Sequence, residues 1–173
     1  ISNPSNRPLV PTYLPEGIPP PTSEKAVNEY LTFLMTDIRG DYEYTYGERI
    51  TPQLEKAIKI LKETPMTNQC TIEIGRPEDI NMESPPCLRL IDCRIRYGKL
   101  HFFVYFRSWD LWSGFPANLA SLQKLKEWMA KEIGVEDGTL NAWSKGLHLY
   151  DFQYDVAKEL VNPKRCRGNV CKR

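Results

Sequence analysis

The chain is expected to fold as α+β (mixed α/β). Three observations predict this. Residues 88–96 and 100–107 are two strongly apolar, strand-like runs joined by Tyr97-Gly98-Lys99, a hairpin signal. Residues 117–133 carry Leu119, Leu122, Leu125, Trp128, Met129 and Ile133 on one helical stripe. Further helical and strand patterns are mixed along the chain, which favours helices packed on a sheet.

The elements follow in order. Residues 1–22 contain seven prolines, which exclude a regular helix or central strand. Leu9, Val10, Tyr13, Leu14 and Ile18 offer anchors for an ordered surface strap. Thr22 or Ser23 is placed to cap a helix. In that helix Ala26, Val27, Tyr30, Leu31, Phe33 and Leu34 recur at helical spacing, and Gly40-Asp41 ends it. Residues 42–50 read as a loop or short strand. Thr51-Pro52 is expected to start a second helix, with Pro65 stopping it. Gln69–Ile74 alternates, with Cys70, Ile72 and Ile74 on one face. Residues 76–86 form a polar loop closed by Pro85-Pro86, and the hairpin follows. Residues 108–116 read as a loop rich in Trp, Gly and Asp. The 117–133 helix stops at Gly134. Residues 139–150 look extended and 152–161 helical.

The expected organisation is a strap over 1–22, one domain over 23–161 and a basic tail over 162–173. At 173 residues and 41% hydrophobic content, one domain with a real core is expected. A formal net charge of +1 argues against a general nucleic-acid binder and against an acidic solvating protein. No apolar run approaches the ~18–20 residues of a membrane span. The chain starts at Ile1 rather than Met, so it is expected to be processed, trimmed or partly represented. Five cysteines, an odd number without framework spacing, point away from a secreted disulfide scaffold and towards a cytoplasmic protein. Cys166 and Cys171 fit a disulfide or half of a metal site, but two cysteines without further ligands are a weak zinc signal. A solvated basic tail is the reading adopted, with no metal.

Chemistry concentrates around one cysteine. Cys87 follows two prolines that stiffen its approach, and it begins a strand. A nearby cation would favour its thiolate, and Arg107 at the end of the partner strand is the candidate. Arg107-Ser108 at a strand-to-loop junction suits a phosphate. Asn118 either caps a helix or reads a base edge, because an amide offers both donor and acceptor. Asp110 alone reads as a turn residue. His148 and Tyr150 stand two apart in an extended segment and share a face, where they can hold a sugar hydroxyl.

These residues resemble those of the thymidylate synthase family, most closely its short archaeal-type branch. The resemblance rests on Pro85-Pro86-Cys87, Tyr97-Gly98-Lys99-Leu100, Arg107-Ser108-Trp109-Asp110, Gly114-Phe115-Pro116-Ala117-Asn118-Leu119-Ala120-Ser121 and His148-Leu149-Tyr150. Order and approximate spacing match over about residues 67–155. Weaker matches are Asn28-Glu29-Tyr30-Leu31-Thr32-Phe33-Leu34 and Tyr46-Gly47.

The resemblance implies reductive methylation of dUMP to dTMP. Cys87 would add to C6 of uracil, and C5 would attack the one-carbon unit of a methylene-tetrahydropterin. The donor would be 5,10-methylenetetrahydrofolate or a methylene-tetrahydromethanopterin analogue, consumed as cosubstrate. Glu29, through water, would assist removal of the C5 proton, with Tyr46 in the same network. Arg107 and Ser108 would hold the phosphate, Asn118 the O4/N3 edge, and His148 and Tyr150 the deoxyribose hydroxyl. Asp110 and Gly114 would face the pterin. The implied architecture is a mixed sheet with helices on one face and a homodimer partner on the other.

The chain also departs from the family. Leu88 follows the nucleophile where the family has His, and Thr67-Asn68 stands where it has two arginines that cross to the partner's phosphate. Arg76, Arg89 and Arg7 are the remaining arginine candidates. The short stretch between Glu29 and Tyr46 lacks the cofactor-site tryptophans, and the basic end replaces an apolar one. Two alternatives therefore stand beside the leading expectation. One is a dUMP/dCMP hydroxymethylase of the same fold, and the other is a non-catalytic nucleotide-binding homologue.

Overall fold

A computed structural model of the chain describes residue 1 and residues 3–161. The expected basic tail, with Cys166 and Cys171, lies outside the described residues. The fold is α+β: helices pack on one face of a mixed sheet.

Helix α1 (Glu24–Met35) is capped by Ser23, whose hydroxyl accepts the Ala26 N–H at 3.1 Å. It ends at Met35 rather than near Gly40. The next helix makes close contact there: a Cβ on Gly47 would lie 1.9 Å from the Thr36 carbonyl oxygen and 2.3 Å from that of Phe33. Only glycine permits this approach.

Helix α2 (Tyr46–Glu63) starts five residues before the expected Thr51, because Thr45 is its cap and accepts the Glu48 N–H at 3.1 Å. Pro52 consequently lies inside the helix and supplies no N–H to the Glu48 carbonyl. The apolar face holds, with Ile50, Leu54, Ala57 and Leu61 buried.

The strands are β1 (Thr71–Glu73), β2 (Leu88–Arg96), β3 (Lys99–Phe106), β4 (Trp109–Asp110), β5 (Glu136–Ser144) and β6 (Leu147–His148). The main sheet has the order β1-β2-β3-β5; β2 is antiparallel to β1 and β3, and β5 is parallel to β3. Strands β4 and β6 form a separate parallel pair. The β2–β3 turn has positive φ at both central residues, 52° at Tyr97 and 72° at Gly98, which is the twist a two-residue hairpin needs. The polar loop before β2 contains a 3-10 turn over Pro77–Asn81.

Helix α3 (Gly114–Ile133) connects β4 to β5 and ends at Gly134, where φ is 88°. It begins three residues earlier than expected. The Asp110 carboxylate accepts the N–H groups of Trp112, Ser113 and Gly114, and Pro116 occupies a first-turn site where an N–H is not needed. Helix α4 (Tyr154–Val161) follows a 3-10 turn at Asp151–Gln153.

The core lies between the sheet and α1–α3. Ile72, Ile91, Leu100, Phe102, Val104, Phe106, Leu122, Leu125 and Met129 are buried within it. Alternation along β3 puts Phe103 on the opposite face, where it and Trp143 of β5 are exposed. The N-terminal segment runs over α3 and β5. The Ile1 ammonium donates to the Leu140 carbonyl, and Arg7 pairs with Glu127 at 2.7 Å. Among the described residues, no helix is long and apolar enough to cross a membrane.

Candidate active site

Pro85, Pro86 and Cys87 enter β2 on an irregular segment whose register shifts between Leu88 and Leu90. Pro86 and Leu88 are buried, and Cys87 between them is half-buried with a free thiol. The Cys87 carbonyl accepts the Arg107 N–H at 2.8 Å. The Arg107 guanidinium then folds back on the prolines: Nη2 donates to the Pro85 carbonyl at 2.6 Å, and Nε reaches the Pro85 and Pro86 carbonyls at 3.2 Å. Nη1 takes part in none of these bonds. One arginine therefore holds the approach to the thiol and leaves cationic N–H groups for an anion.

The other side of Cys87 is aromatic. The Tyr46 hydroxyl accepts the Leu88 N–H at 3.2 Å, so it sits against the Cys87–Leu88 peptide. Tyr30 of α1 meets Tyr46 edge-on at 6.3 Å between ring centroids, and Tyr44 lies at 5.8 Å. Burial, then the neighbouring phenols, push Tyr30 and Tyr46 well above the ordinary phenol value. Burial and the Cys87 charge also raise Tyr44. All three stay protonated near neutral pH, which leaves each a hydroxyl proton to donate. Together with Phe33, Tyr42 and Ser84 they line a cavity of about 390 Å³.

Beneath this wall is a buried ion cluster. Asp79, from the 3-10 turn, accepts both terminal nitrogens of Arg49 at 2.8 Å and Nη1 of Arg89 at 3.0 Å. The Arg76 N–H adds a fourth donor at 2.8 Å. Arg49 holds the Asp79 carboxyl down at about 2. A Cβ on Gly75 would lie 2.6 Å from the Arg89 guanidinium, so glycine makes room for that side chain.

The remaining candidates gather at the β4–β6 pair. The Ser108 hydroxyl and His148 Nδ1 are 2.9 Å apart, a contact made possible by the parallel pairing of Asp110 with His148. Tyr150 meets the His148 ring edge-on at 5.2 Å and is half exposed. Asn118, in the first turns of α3, accepts the Trp109 indole N–H at 2.8 Å through Oδ1. Trp109 is buried and stacked on Phe106 at 3.9 Å. That bond fixes the amide, with its NH₂ directed away from Trp109 and available to an acceptor.

Asp110 and Gly114 are joined by the hydrogen bond that starts α3. Burial works against the Asp110 charge, but the bonds from Ser113, Gly114 and Trp112 hold it below the usual carboxylate range. Gly114 lies between the two side chains: a Cβ on it would be 3.2 Å from Asp110 Cβ and 3.7 Å from Asn118 Oδ1.

Glu29 stands apart from this cluster. It is on the exposed side of α1, 3.7 Å from Lys25, while the next residue, Tyr30, points at Tyr46. Arg7 pairs with Glu127, and Arg89 is held by Asp79. Sequence reasoning missed Tyr30, Tyr44, Arg49, Asp79 and Trp109. Tyr44 and Tyr46 stand two apart and carried a usable signal; the Asp79 cluster unites three separate segments and carried none. Among the described residues, no group of three or more His, Cys, Asp or Glu could hold a metal ion.

Comparison with known proteins adds a family match and three relatives. The family model described as Thymidylate synthase matches residues 28–168. A protein of Methanosarcina acetivorans named "Putative thymidylate synthase" is 36% identical over 147 residues, covering 80% of this chain and 68% of its own. A protein of the same name from Methanothermobacter marburgensis is 29% identical over 161 residues, 90% of this chain and 71% of its own. The "Thymidylate synthase" of Listeria monocytogenes is 34% identical over 123 residues, 70% of this chain and 39% of its own.

Proposed function

The chain belongs to the thymidylate synthase family, a family of methyltransferases that act on dUMP with a methylene-folate-type cosubstrate, and we propose that it converts dUMP to dTMP through a covalent Cys87 adduct. The observation that carries the proposal is the setting of Cys87: two prolines place it, Arg107 braces it, and phenols wall it on the other side.

In this reading Cys87 Sγ adds to C6 of uracil, and the electron pair moves to C5, which becomes the carbon nucleophile. Arg107 keeps the thiolate favourable and, with Ser108, receives the 5′-phosphate. The Asn118 NH₂, oriented by Trp109, donates to O4, and Oδ1 faces the N3 proton. His148 and Tyr150 hold the deoxyribose hydroxyl. The aromatic cavity suits a flat pterin, the donor being methylenetetrahydrofolate or a methylene-tetrahydromethanopterin analogue; Asp110 and Gly114 face it from α3. Tyr46 takes part in removal of the C5 proton. Glu29 assists through water, and its exposed bond to Lys25, of a kind worth about 0.3–0.5 kcal/mol, resists this weakly.

The proposal extends to a homodimer in the cytoplasm, built on one catalytic domain over 23–161 with the strap over 1–22 and the tail over 162–173. The exposed Phe103 and Trp143 on the sheet face opposite the helices support an apolar partner there.

The test is product analysis after incubation with dUMP, and in parallel dCMP, plus methylenetetrahydrofolate. Thymidylate is the expected product, and Cys87→Ala abolishes it. Hydroxymethyl product would move the assignment to a hydroxymethylase. Turnover that survives in Cys87→Ala would sink the covalent mechanism.

A further inference from the structure

Tyr30, Tyr44 and Tyr46 line one cavity, with the Tyr46 hydroxyl against the Cys87–Leu88 peptide, but the family resemblance gives a role only to Tyr46. The proton on C5 of the substrate needs a route out of a pocket walled by phenols, and Glu29 is outside that wall. Tyr46 is anchored at one end, because its oxygen accepts the Leu88 N–H. Its own proton is therefore directed away from the backbone. The Tyr44 ring lies beside that of Tyr46, 5.8 Å between centroids, and both phenols line the same cavity. Tyr44 in turn lines the aromatic cavity together with the exposed Glu43 and Ser84.

Tyr44 is also the phenol with a cation against it. The Arg49 guanidinium lies 5.2 Å from its ring centroid. Arg49 is fixed by its two bonds to Asp79 and by a 2.8 Å bond to the Ile74 carbonyl, and its side chain is only 6% exposed. With Arg107, this rigidly held cation offsets part of the burial that disfavours negative charge on the Tyr44 oxygen. Tyr30 has no such support; it packs against Tyr46 from α1.

We propose that Tyr44 is a positioning residue for the C5 proton, passing the Tyr46 proton to solvent from the cavity, with Arg49 as its electrostatic support. The inference rests on the thymidylate synthase reading of the site. Once the C6–Sγ bond has formed and the one-carbon unit is joined to C5, the C5–H bond breaks. Its electron pair forms the double bond to the exocyclic carbon as the carbon–nitrogen bond to the pterin breaks, and the nitrogen takes a proton from water. The C5 proton goes to the Tyr46 oxygen, the Tyr46 proton to Tyr44, and the Tyr44 proton to water. The relay ends in its starting protonation state.

The experiment uses dUMP tritiated at C5, with methylenetetrahydrofolate, on the native protein and on Tyr44→Phe. The variant keeps the ring against Arg49 and removes only the hydroxyl. Tritium release is expected to fall about 10- to 100-fold, a fraction of what a complete acid–base group contributes. The dUMP Kd stays within about twofold and the rate of Cys87 alkylation by iodoacetamide is unchanged. Release measured in mixtures of H₂O and D₂O follows a curved dependence in the native protein, from more than one proton in flight, and a straight line in Tyr44→Phe. Undiminished release, the same dependence in both proteins, or a parallel loss of dUMP binding would overturn the role of Tyr44 alone. No release from the native protein would overturn the underlying reading, and the relay with it.

Discussion

Trp109 does two jobs whose chemistry separates cleanly. Its ring stacks on Phe106, and its indole N–H determines which way the Asn118 amide points. Trp109→Phe keeps most of the stacking and removes the donor. The amide is then free to flip, and a lost hydrogen bond of about 1 kcal/mol raises the KM for dUMP roughly fivefold, with a smaller change in kcat. Steady-state kinetics check this; an unchanged KM would show that Asn118 is oriented by something else.

Asp79 belongs with the residues that hold shape rather than touch substrate. It lies between Arg49 and Arg89, and its folded-state value of about 2 is below that of a free carboxylate. A depressed value means stability that is complete above about pH 4 and is lost as the pH falls through about 2. Asp79→Asn leaves a buried guanidinium without its countercharge, at a cost of about 3–5 kcal/mol. Urea unfolding at a series of pH values is expected to show a lower midpoint at pH 7 and a flatter decline between pH 4 and 2 than in the native protein.

Where α1 meets α2, the two backbones approach closely enough to require glycine. Gly47 brings the first turn of α2 against the carbonyls of Phe33 and Thr36, and this closeness carries Tyr46 to Cys87 and Tyr44 to Arg49. In Gly47→Ala the Cβ meets backbone oxygens that cannot rotate away. The expected result is a loss of roughly 1–3 kcal/mol with separation of the two helices. It is detectable as a lower melting temperature together with faster alkylation of Cys87, since the phenol wall moves off the thiol. A melting temperature equal to that of the native protein would refute the steric argument.

In the molecule as a whole, the sheet divides two environments. Its helix side is filled by residues such as Phe102, Val104 and Ile91, while Phe103 and Trp143 face outward. Placing Asp at both outward positions, Phe103→Asp with Trp143→Asp, leaves the helix-side core untouched. If that face carries the proposed partner, sedimentation at micromolar concentration shows a dimer for the native protein and a monomer for the double variant. A native monomer would contradict the dimer.

Much of the local structure was legible because it depends on nearest neighbours. The hairpin was readable from Tyr97-Gly98 between apolar runs, since a two-residue turn with positive φ has few chemical solutions. The stop of α3 at Gly134 was readable for the same reason. Helix starts were less so. Thr51-Pro52 and Ala117 were plausible beginnings, but Thr45 and Asp110 capped the chain earlier. Within the site, Cys87, Arg107, Asn118 and His148 stood out as residue types in a known order. The orientation of each awaited contacts with distant segments: Pro85 for Arg107, Trp109 for Asn118, Ser108 for His148. The placement of Glu29 beside Lys25, and of Tyr30 towards Tyr46, follows from the rotation of α1 on its neighbours. Periodicity assigns residues to a helix face, but it does not say which other element that face will meet. The order of residues along the chain determined the family and the chemical groups present. Packing of α1, α2 and the 77–81 turn decided which of those groups lie together, because hydrogen bonds and ion pairs reach only a few ångströms and partners such as Asp79 and Arg89, or Tyr46 and Leu88, are 10 and 42 positions apart.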